Sequence, residues 1–527
     1  MANERSELAA YRFTEINTII SMRSFVLFII SSLLFLNPLF SREGRNLLLD
    51  KSLVSETDMQ FKYHFPEYYA LNPVLKADKA WEFNKNGDPY AAPFSGGVWY
   101  DELSGKFKMW YSAGGGKVNG LVTCYAESND GKVWFKPDLD VVPGTNIVDT
   151  VEHDCVSVLL DKFEHRTDKK YKMFLVAFNN SGSVSMKLKY SSDGIHWSST
   201  KAVSGELYDR CAVYYDPFID KYVLSLKTIN GVYRRARCFL ADKDPELAVS
   251  LAHRTFINGE HKFIRFWFNA DDDDPRHPLF PDLRPQIYNH EAMPYENLLL
   301  GYFSVWQGPE NKECVELKVQ KRNEILIGWT KDSFNWNREN KKPFLPVDEN
   351  PEAWNAGNIQ SVAGCPIIVG DSLYFYMSGR YSSRPVHPSN FATGLATLRR
   401  DGFASYHSDK EECFLKTVPF EVTGSFLFLN AEIKGSLYAE LLDANSNVIK
   451  GFSKRDFEVV KKKNSTKLQL RWKNADISSL IGKKISIRFY TRNTDLYSFW
   501  FSKTEKGLSG GYTAGGGPLL SPRGIDK

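Results

Sequence analysis

The chain has 527 residues, of which 43% are hydrophobic, 25% charged and 14% aromatic, with a formal net charge of +4 at pH 7. That length exceeds one ordinary core and predicts at least two domains, while the composition excludes a disordered chain. So small a charge gives no case for nucleic acid as a partner, and the 12 Trp, 26 Tyr and 36 Phe favour strands and sugar-stacking surfaces over helical bundles.

Residues 1–41 predict an N-terminal extension and a secretory signal peptide, with Met22 as the expected start. The stretch "MRSFVLFIISSLLFLNPLFS" has a basic start at Arg23, an apolar run over 25–36 and a polar exit. That run is short for a bilayer span and fits a signal. No cysteine follows it at a lipoprotein position, so the expectation is a secreted or periplasmic protein with no stable membrane insertion after cleavage. The seven cysteines (124, 155, 211, 238, 314, 365 and 413) show no CxxC spacing. Their odd number argues against a complete disulfide framework, and each sits in an apolar context that predicts a small buried hydrophobe. Neither a metal nor a cofactor is expected.

From about 70 to 410 short β runs alternate with turn signals, and helical periodicity is almost absent. "GGVWYDELSGKFKMWYSAG" at 96–114 reads as a strand, a turn and a returning strand, and "GLVTCYAESNDGKVWFKP" adds another strand, an Asn-Asp-Gly turn and Trp134. The same order recurs to "YSSDGIHW" at 190–197 and to "WTKDSFNW" at 329–336. "DRCAVYYDPFIDKYVLSLK" at 209–227 starts a further unit without the motif, and a fragment appears at 374–405. An internal repeat of this kind predicts an array of similar units. Five four-stranded units closing into a ring make a five-bladed β-propeller, which protects its edges by radial closure. In this reading the repeated Ser/Thr-x-Asp-Gly/Ser-x-x-Trp is a turn between outer strands, its Trp filling the gap to a neighbouring unit.

After 411 the pattern becomes strictly alternating. "SFLFLNAEIKGSLYAELLDANSNVIKGF" and "KLQLRWKNADISSLIGKKISIRFYTRNTDLYSFWFS" predict an antiparallel, jelly-roll-like β-sandwich over 411–506. The Gly-rich stretch 507–527 predicts a mobile tail. The fold class is therefore all-β, a five-bladed propeller followed by a sandwich.

In a propeller the innermost strands line a central funnel, so the starts of successive units converge. These positions hold Trp81, Glu82, Asp88 and Ser95 in the first unit, His153 and Asp154 in the second, and Asp209 and Arg210 in the third. The fourth holds His290, Glu291 and Glu296, and the fifth Asn358 and Gln360. Carboxylates at three corresponding points suit glycosidic bond cleavage, where one acid protonates the leaving oxygen and a second carboxylate activates water or attacks the sugar. Turn capping or pairing with Arg is the structural alternative for each.

The order "FKMWYSAG", "CYAESNDGKVW", "DRCAVYYDPFIDKYV", "MPYENLLLG", "GDSLYFYMSGR" and "LRRDGF", followed by a sandwich, resembles the five-bladed propeller glycoside hydrolases of families 32, 43, 68 and 117. The resemblance covers roughly 70–506. It implies an exported glycosidase with an Asp, a second Asp beside an Arg, and a Glu on inner strands, and Asp209-Arg210 looks like the Arg-Asp pair in reversed order. No Trp-x-Asn-Asp-Pro-Asn-Gly motif of the invertases occurs. The expected roles are Glu291 as general acid, Asp154 as base or nucleophile, and Asp209 with Arg210 as orienting partners. His153, His290, Trp81, Asp88 and Gln360 are expected to bind the carbohydrate, either His being an alternative acid. Two rivals are a non-catalytic carbohydrate-binding propeller and a glycoside phosphorylase with phosphate held by Arg210, Arg234 or Arg235. The acidic run at 271–274 lacks the Gly and Glu of a calcium loop and reads as solvated. The basic run "VYRRARCF" at 232–239 reads as a solvated strand face, with contact to phosphate or sulfate groups as the alternative. A pI near 8.4 is compatible with an anionic glycan.

Overall fold

The computed structural model describes residues 43–526 except 96, 115–119, 180–181, 232–233, 255–262, 365 and 382–389. The proposed signal segment lies outside the described residues. Strands dominate, and among the described residues α-helix is confined to Pro245–Leu251 and Asn311–Leu317.

Antiparallel meanders follow one another along the chain. The first two share a sheet, in which Leu121–Ser128 of one meets the start of Ile147–Leu160 of the next through an irregular register. The third is a separate four-stranded sheet, Ala212–Asp216, Lys221–Asn230, Arg234–Asp242 and Arg265–Phe268. The fourth, Gln286–Glu296, Leu298–Gly308 and Arg322–Thr330, pairs with the fifth through the parallel bridge Asn323–Asn358 and packs on it through Tyr302 against Phe375. The fifth comprises Asn358–Val362, Ser372–Tyr381 and Asn390–Arg399, and its outer strand comes from far upstream, Glu67–Tyr68. Near-continuous apolar runs such as "YKMFLVAF" are buried on both faces, which is why these strands do not alternate.

The repeated motif forms the same turn each time. Asp130 Oδ1 accepts from the amides of Lys132 and Val133 at 2.8 and 2.9 Å. Asp193 accepts from Ile195 and His196 at 2.8 and 2.9 Å, and Asp332 from Phe334 and Asn335 at 3.0 and 2.7 Å. The next residue needs positive φ, 73° at Gly131, 83° at Gly194 and 65° at Ser333. A neighbouring meander then grips the turn. Trp110 Nε1 donates to the Gly194 carbonyl (2.6 Å), Trp267 Nε1 to the Phe334 carbonyl (2.7 Å), and the Tyr376 hydroxyl to the Gly131 carbonyl (2.6 Å). In each case the aromatic belongs to the preceding meander, and Tyr376 carries that relation from the fifth back to the first. The Asp residues are thus spent on backbone amides.

The C-terminal region builds on two long strands, Phe426–Leu442 and Lys484–Ser502, paired along most of their length and bent by register shifts near 430 and 433–436. The second strand also pairs with Phe420–Glu421, Cys413–Thr417, Ala404–Ser408 and Asn46–Leu47. Val54–Thr57 and Gln60–Tyr63 add to the same sheet, so this unit takes strands from upstream of residue 70 as well. Residues Glu43–Lys527 form one compact unit.

The stretch expected as a mobile tail is instead packed. Tyr512–Thr513 pairs with Tyr295 and Glu296, and Asp526 is buried in an ionic knot. There Arg45 reaches Asp401 (2.9 Å), while Arg400 reaches Glu296 (3.0 Å) and Asp526 (3.1 Å). Ser509 donates to Glu296 at 2.8 Å. Its glycines are needed for close approach, since a Cβ on Gly511 would lie 1.9 Å from Glu296 Oε2. Against the cost of burial, Arg45 and then Arg400 hold Asp401 well below the usual carboxylate range. Removing one partner strands buried charge, so Arg400→Met is expected to destabilise the fold by about 3–5 kcal/mol, read from the urea midpoint.

Candidate functional site

One structural device recurs at the first strands of the meanders. Each is interrupted where the sequence repeat placed its converging residues. In Ile147–Leu160 the register with the next strand skips Asp154; in Gln286–Glu296 it skips Tyr288; in Asn358–Val362 it skips Gln360. In the first meander the pairing breaks between Ala92 and Val98 around Phe94 and Ser95, and in the third Arg210 precedes the strand at φ 58°. A bulge re-aims a side chain out of the ladder and is over-represented beside active sites. Ser95, at φ 51°, is a second non-glycine in the left-handed region. Strain of this kind persists where its surroundings hold it.

Arg210 organises the site. Its Nη1 lies 3.1 Å from Asp154 Oδ2 and donates to the Asp154 carbonyl at 2.9 Å. Its amide donates to the same carboxylate at 3.3 Å, and its Nε to the Tyr288 hydroxyl at 3.0 Å. The guanidinium stacks 4.4 Å from the Phe94 ring centroid. Arg237 fixes the backbone from behind, donating to the Arg210 carbonyl at 2.7 Å and to the Ser225 carbonyl at 2.6 Å. Asp209, next in the chain, pairs with Lys227. The Asp209 side chain is 41% exposed and that of Asp154 18%, so both reach solvent.

Their proton affinities diverge. Burial raises Asp154 above the ordinary carboxylate value, with Arg210 opposing and Asp209 adding to the rise. Asp209 moves the other way: against burial, Lys227 and then Arg210 lower it. Two carboxylates whose surroundings push their affinities apart are the arrangement an acid/base pair requires.

Glu291, expected as the general acid, is in a different position. It is 1% exposed, and its Oε1 accepts from Asn289 and, at 3.2 Å, from Ser95. Burial pushes its pKa up to about 8, so the group is held neutral at pH 7. A chain of hydrogen bonds links it to Arg210: Asn289 donates to Glu291 and accepts from Arg237 at 3.5 Å, and Arg237 donates to the Arg210 carbonyl. His290 points away, into a cage of Trp267, Phe268, Phe303 and Trp336 with ring centroids 4.7–5.0 Å away. Burial lowers its pKa well below the ordinary value, and Ser225 meets its Nδ1 at 3.1 Å. His153 is likewise buried between Ser112 (3.2 Å) and the Val151 carbonyl (3.1 Å), its pKa lowered by burial to about 4. Both rings are placed as structural groups.

Trp81 donates to Asn146 at 2.8 Å and packs against the first meander, and Asp88 closes a turn with Asn84. Neither contacts the Arg210 cluster. Gln360 does occupy a bulge, and its Oε1 is buried without a partner among the described residues. In the acidic run, Asp271 and Asp274 pair with Arg338 and Lys341. Of the basic run, Arg235 is tied to Glu310 at 2.9 Å and Arg237 is the buried brace behind Arg210. No cluster of metal-binding side chains occurs among the described residues.

The sequence matches no protein-family profile and no curated protein. Among solved structures it is similar to glycoside hydrolases. One is a glycosyl hydrolase from Bacteroides ovatus (13% identity, TM-score 0.39, covering 68% of this chain and 97% of that one). Another comes from work on the GH130 family of mannoside phosphorylases and its glycoside hydrolases that target β-1,2 mannosidic linkages (13%, TM-score 0.39, 66% and 96%). A third is the β-fructofuranosidase of Schwanniomyces occidentalis complexed with fructosyl-erythritol (11%, TM-score 0.35, 86% and 99%). At these scores the neighbours carry no argument about the chemistry of this chain. That comes from its own residues.

Sequence reasoning missed Tyr288, Lys227, Arg237 and Asn289. The first is an aromatic two residues before the expected His290-Glu291 pair, and only the bulge turns it to the site. Asn289 follows it on the same strand, and Lys227 and Arg237 lie on the second and third strands of their meander, where the repeat gave no reason to look.

Proposed function

We propose that the five meanders close into a five-bladed β-propeller and that the chain is an exported glycoside hydrolase acting in its funnel. The Tyr376–Gly131 contact and the Glu67–Tyr68 strand support ring closure, and the row of bulges supports a shared funnel. The apolar run at 25–36 is the proposed export signal.

The observation that carries the enzymatic reading is the opposed shift of two solvent-reaching carboxylates on either side of Arg210. Asp154 carries the proton and delivers it to the leaving glycosidic oxygen. Asp209, kept ionised by Lys227, activates water or attacks the anomeric carbon. Arg210 then stabilises the Asp154 carboxylate left behind. Glu291 is a positioning residue, because a group so enclosed cannot meet the glycosidic oxygen at hydrogen-bond distance.

The test is reducing-sugar release from a panel of neutral and anionic glycans, with the wild type beside Asp154→Asn. Release by the wild type that falls at least 100-fold in the variant supports the assignment. Equal release by both removes Asp154 as the acid. Glycan binding without release by either protein points to a carbohydrate-binding propeller instead.

A further inference from the structure

Positive charge gathers beside the carboxylate pair. The Lys321 ammonium lies 4.4 Å from the Tyr288 ring centroid, and Arg210 lies 5.8 Å from the same ring. Arg380 sits 5.4 Å from Phe391, whose ring is 4.2 Å from Tyr90. Lys227 and Arg235 complete the set of cations whose fields reach Lys321. Asp154, Asp209 and Glu310 pair with Arg210, Lys227 and Arg235 respectively. Lys321 has no carboxylate partner within ion-pair distance among the described residues, so its charge is left over from those three pairs.

Two further observations bear on what the cluster can hold. The Tyr90 hydroxyl is buried with no hydrogen-bond partner among the described residues, and the charges acting on it are those of Arg210, Asp154 and Arg380, with Tyr288. A buried unpaired hydroxyl is costly unless something fills the space it faces. Burial, followed by the surrounding arginines and Lys227, lowers Lys321 to about 7. An anion in contact with the ammonium would reverse that effect.

We propose that Lys321 and Arg210 around Tyr288, with Arg380 on the Phe391–Tyr90 pair, form an oxyanion subsite next to Asp154 and Asp209. Its ligand is the carboxylate or sulfate of an acidic sugar, or free inorganic phosphate as a second ligand of the same chemistry. This deepens the glycosidase reading and rests on it for the location of the sugar. Arginine offers a planar fork to such groups and lysine a point charge, and both occur here.

Calorimetric titration tests it without turnover. Glucuronate, glucose 6-sulfate, glucose and inorganic phosphate are titrated into the full chain, the Lys321→Met variant and the Arg380→Met variant. Acidic sugars binding at least ten-fold more tightly than glucose, with the preference lost in either variant, establish the subsite and assign the anion to the substrate. Phosphate binding that is lost in a variant, with no preference among the sugars, establishes it with phosphate as the ligand. No anion preference in the wild type, or a preference unchanged in both variants, overturns it. If the anion preference stands while Asp154→Asn leaves glycan release unchanged, the hydrolase reading fails and the subsite survives.

Discussion

Asp209→Ala is expected to lower kcat by two to four orders of magnitude on any glycan the wild type hydrolyses, and added azide is expected to restore part of the loss. Removing a positioned acid or base typically costs 10²–10⁴-fold, and a small anion can occupy the space of the missing carboxylate. The pairing with Lys227 keeps Asp209 ionised, so its deprotonation sets the acidic limb of the pH–rate profile below the ordinary carboxylate value. Asp154 sets the opposite limb, since it must be protonated to act, and its raised affinity extends activity upward in pH. Rescue in Asp209→Ala with none in Asp154→Ala would fix the two roles. The reverse pattern would exchange them.

Glu291→Gln should be nearly silent in kcat, within about ten-fold of wild type, because Gln is isosteric with a neutral glutamic acid. Its effect belongs to stability and depends on pH. The folded pKa of about 8 lies above the ordinary value of 4.5. The protein is therefore favoured fully below 4.5, where Glu291 is neutral folded or unfolded. That advantage is lost as pH rises through 8, because the folded state must then hold an ion that burial penalises. A shift of this size corresponds to a difference on the order of 4–5 kcal/mol. Urea unfolding of wild type and variant at pH 4 and pH 9 should show similar stabilities at the first and a variant more stable by several kcal/mol at the second. A kcat loss above 100-fold with no such pH dependence would return Glu291 to the role of acid.

The repeat was legible because turn chemistry is local. Asp130, Asp193 and Asp332 each cap amides two and three residues ahead, and that geometry needs nothing from elsewhere in the chain. The strand content and the place of Asp154 and Arg210 near the starts of their meanders followed from the same repeat. The direction of each side chain did not follow. A bulge breaks the two-residue alternation of a strand, so Tyr288 turns to the site while His290, two residues on, points away, without any mark in the sequence. The glycines of 507–527 looked like a signature of mobility, whereas Gly511 is there because Glu296 leaves no room for a Cβ. Composition reports what a backbone is free to do, and a long-range contact decides what it does.

The ionic knot also bears on time. Arg45 and Asp526 come from opposite ends of the described chain, and their contact at 4.0 Å closes a loop over nearly all of the described residues, at a high chain-entropy cost. Such a contact is expected to form after the sheets it fastens, and a contact absent from the folding transition state acts on the rate of opening. Survival in the presence of proteases under conditions where cleavage outpaces reclosing would then be governed at the knot, by how seldom it lets go.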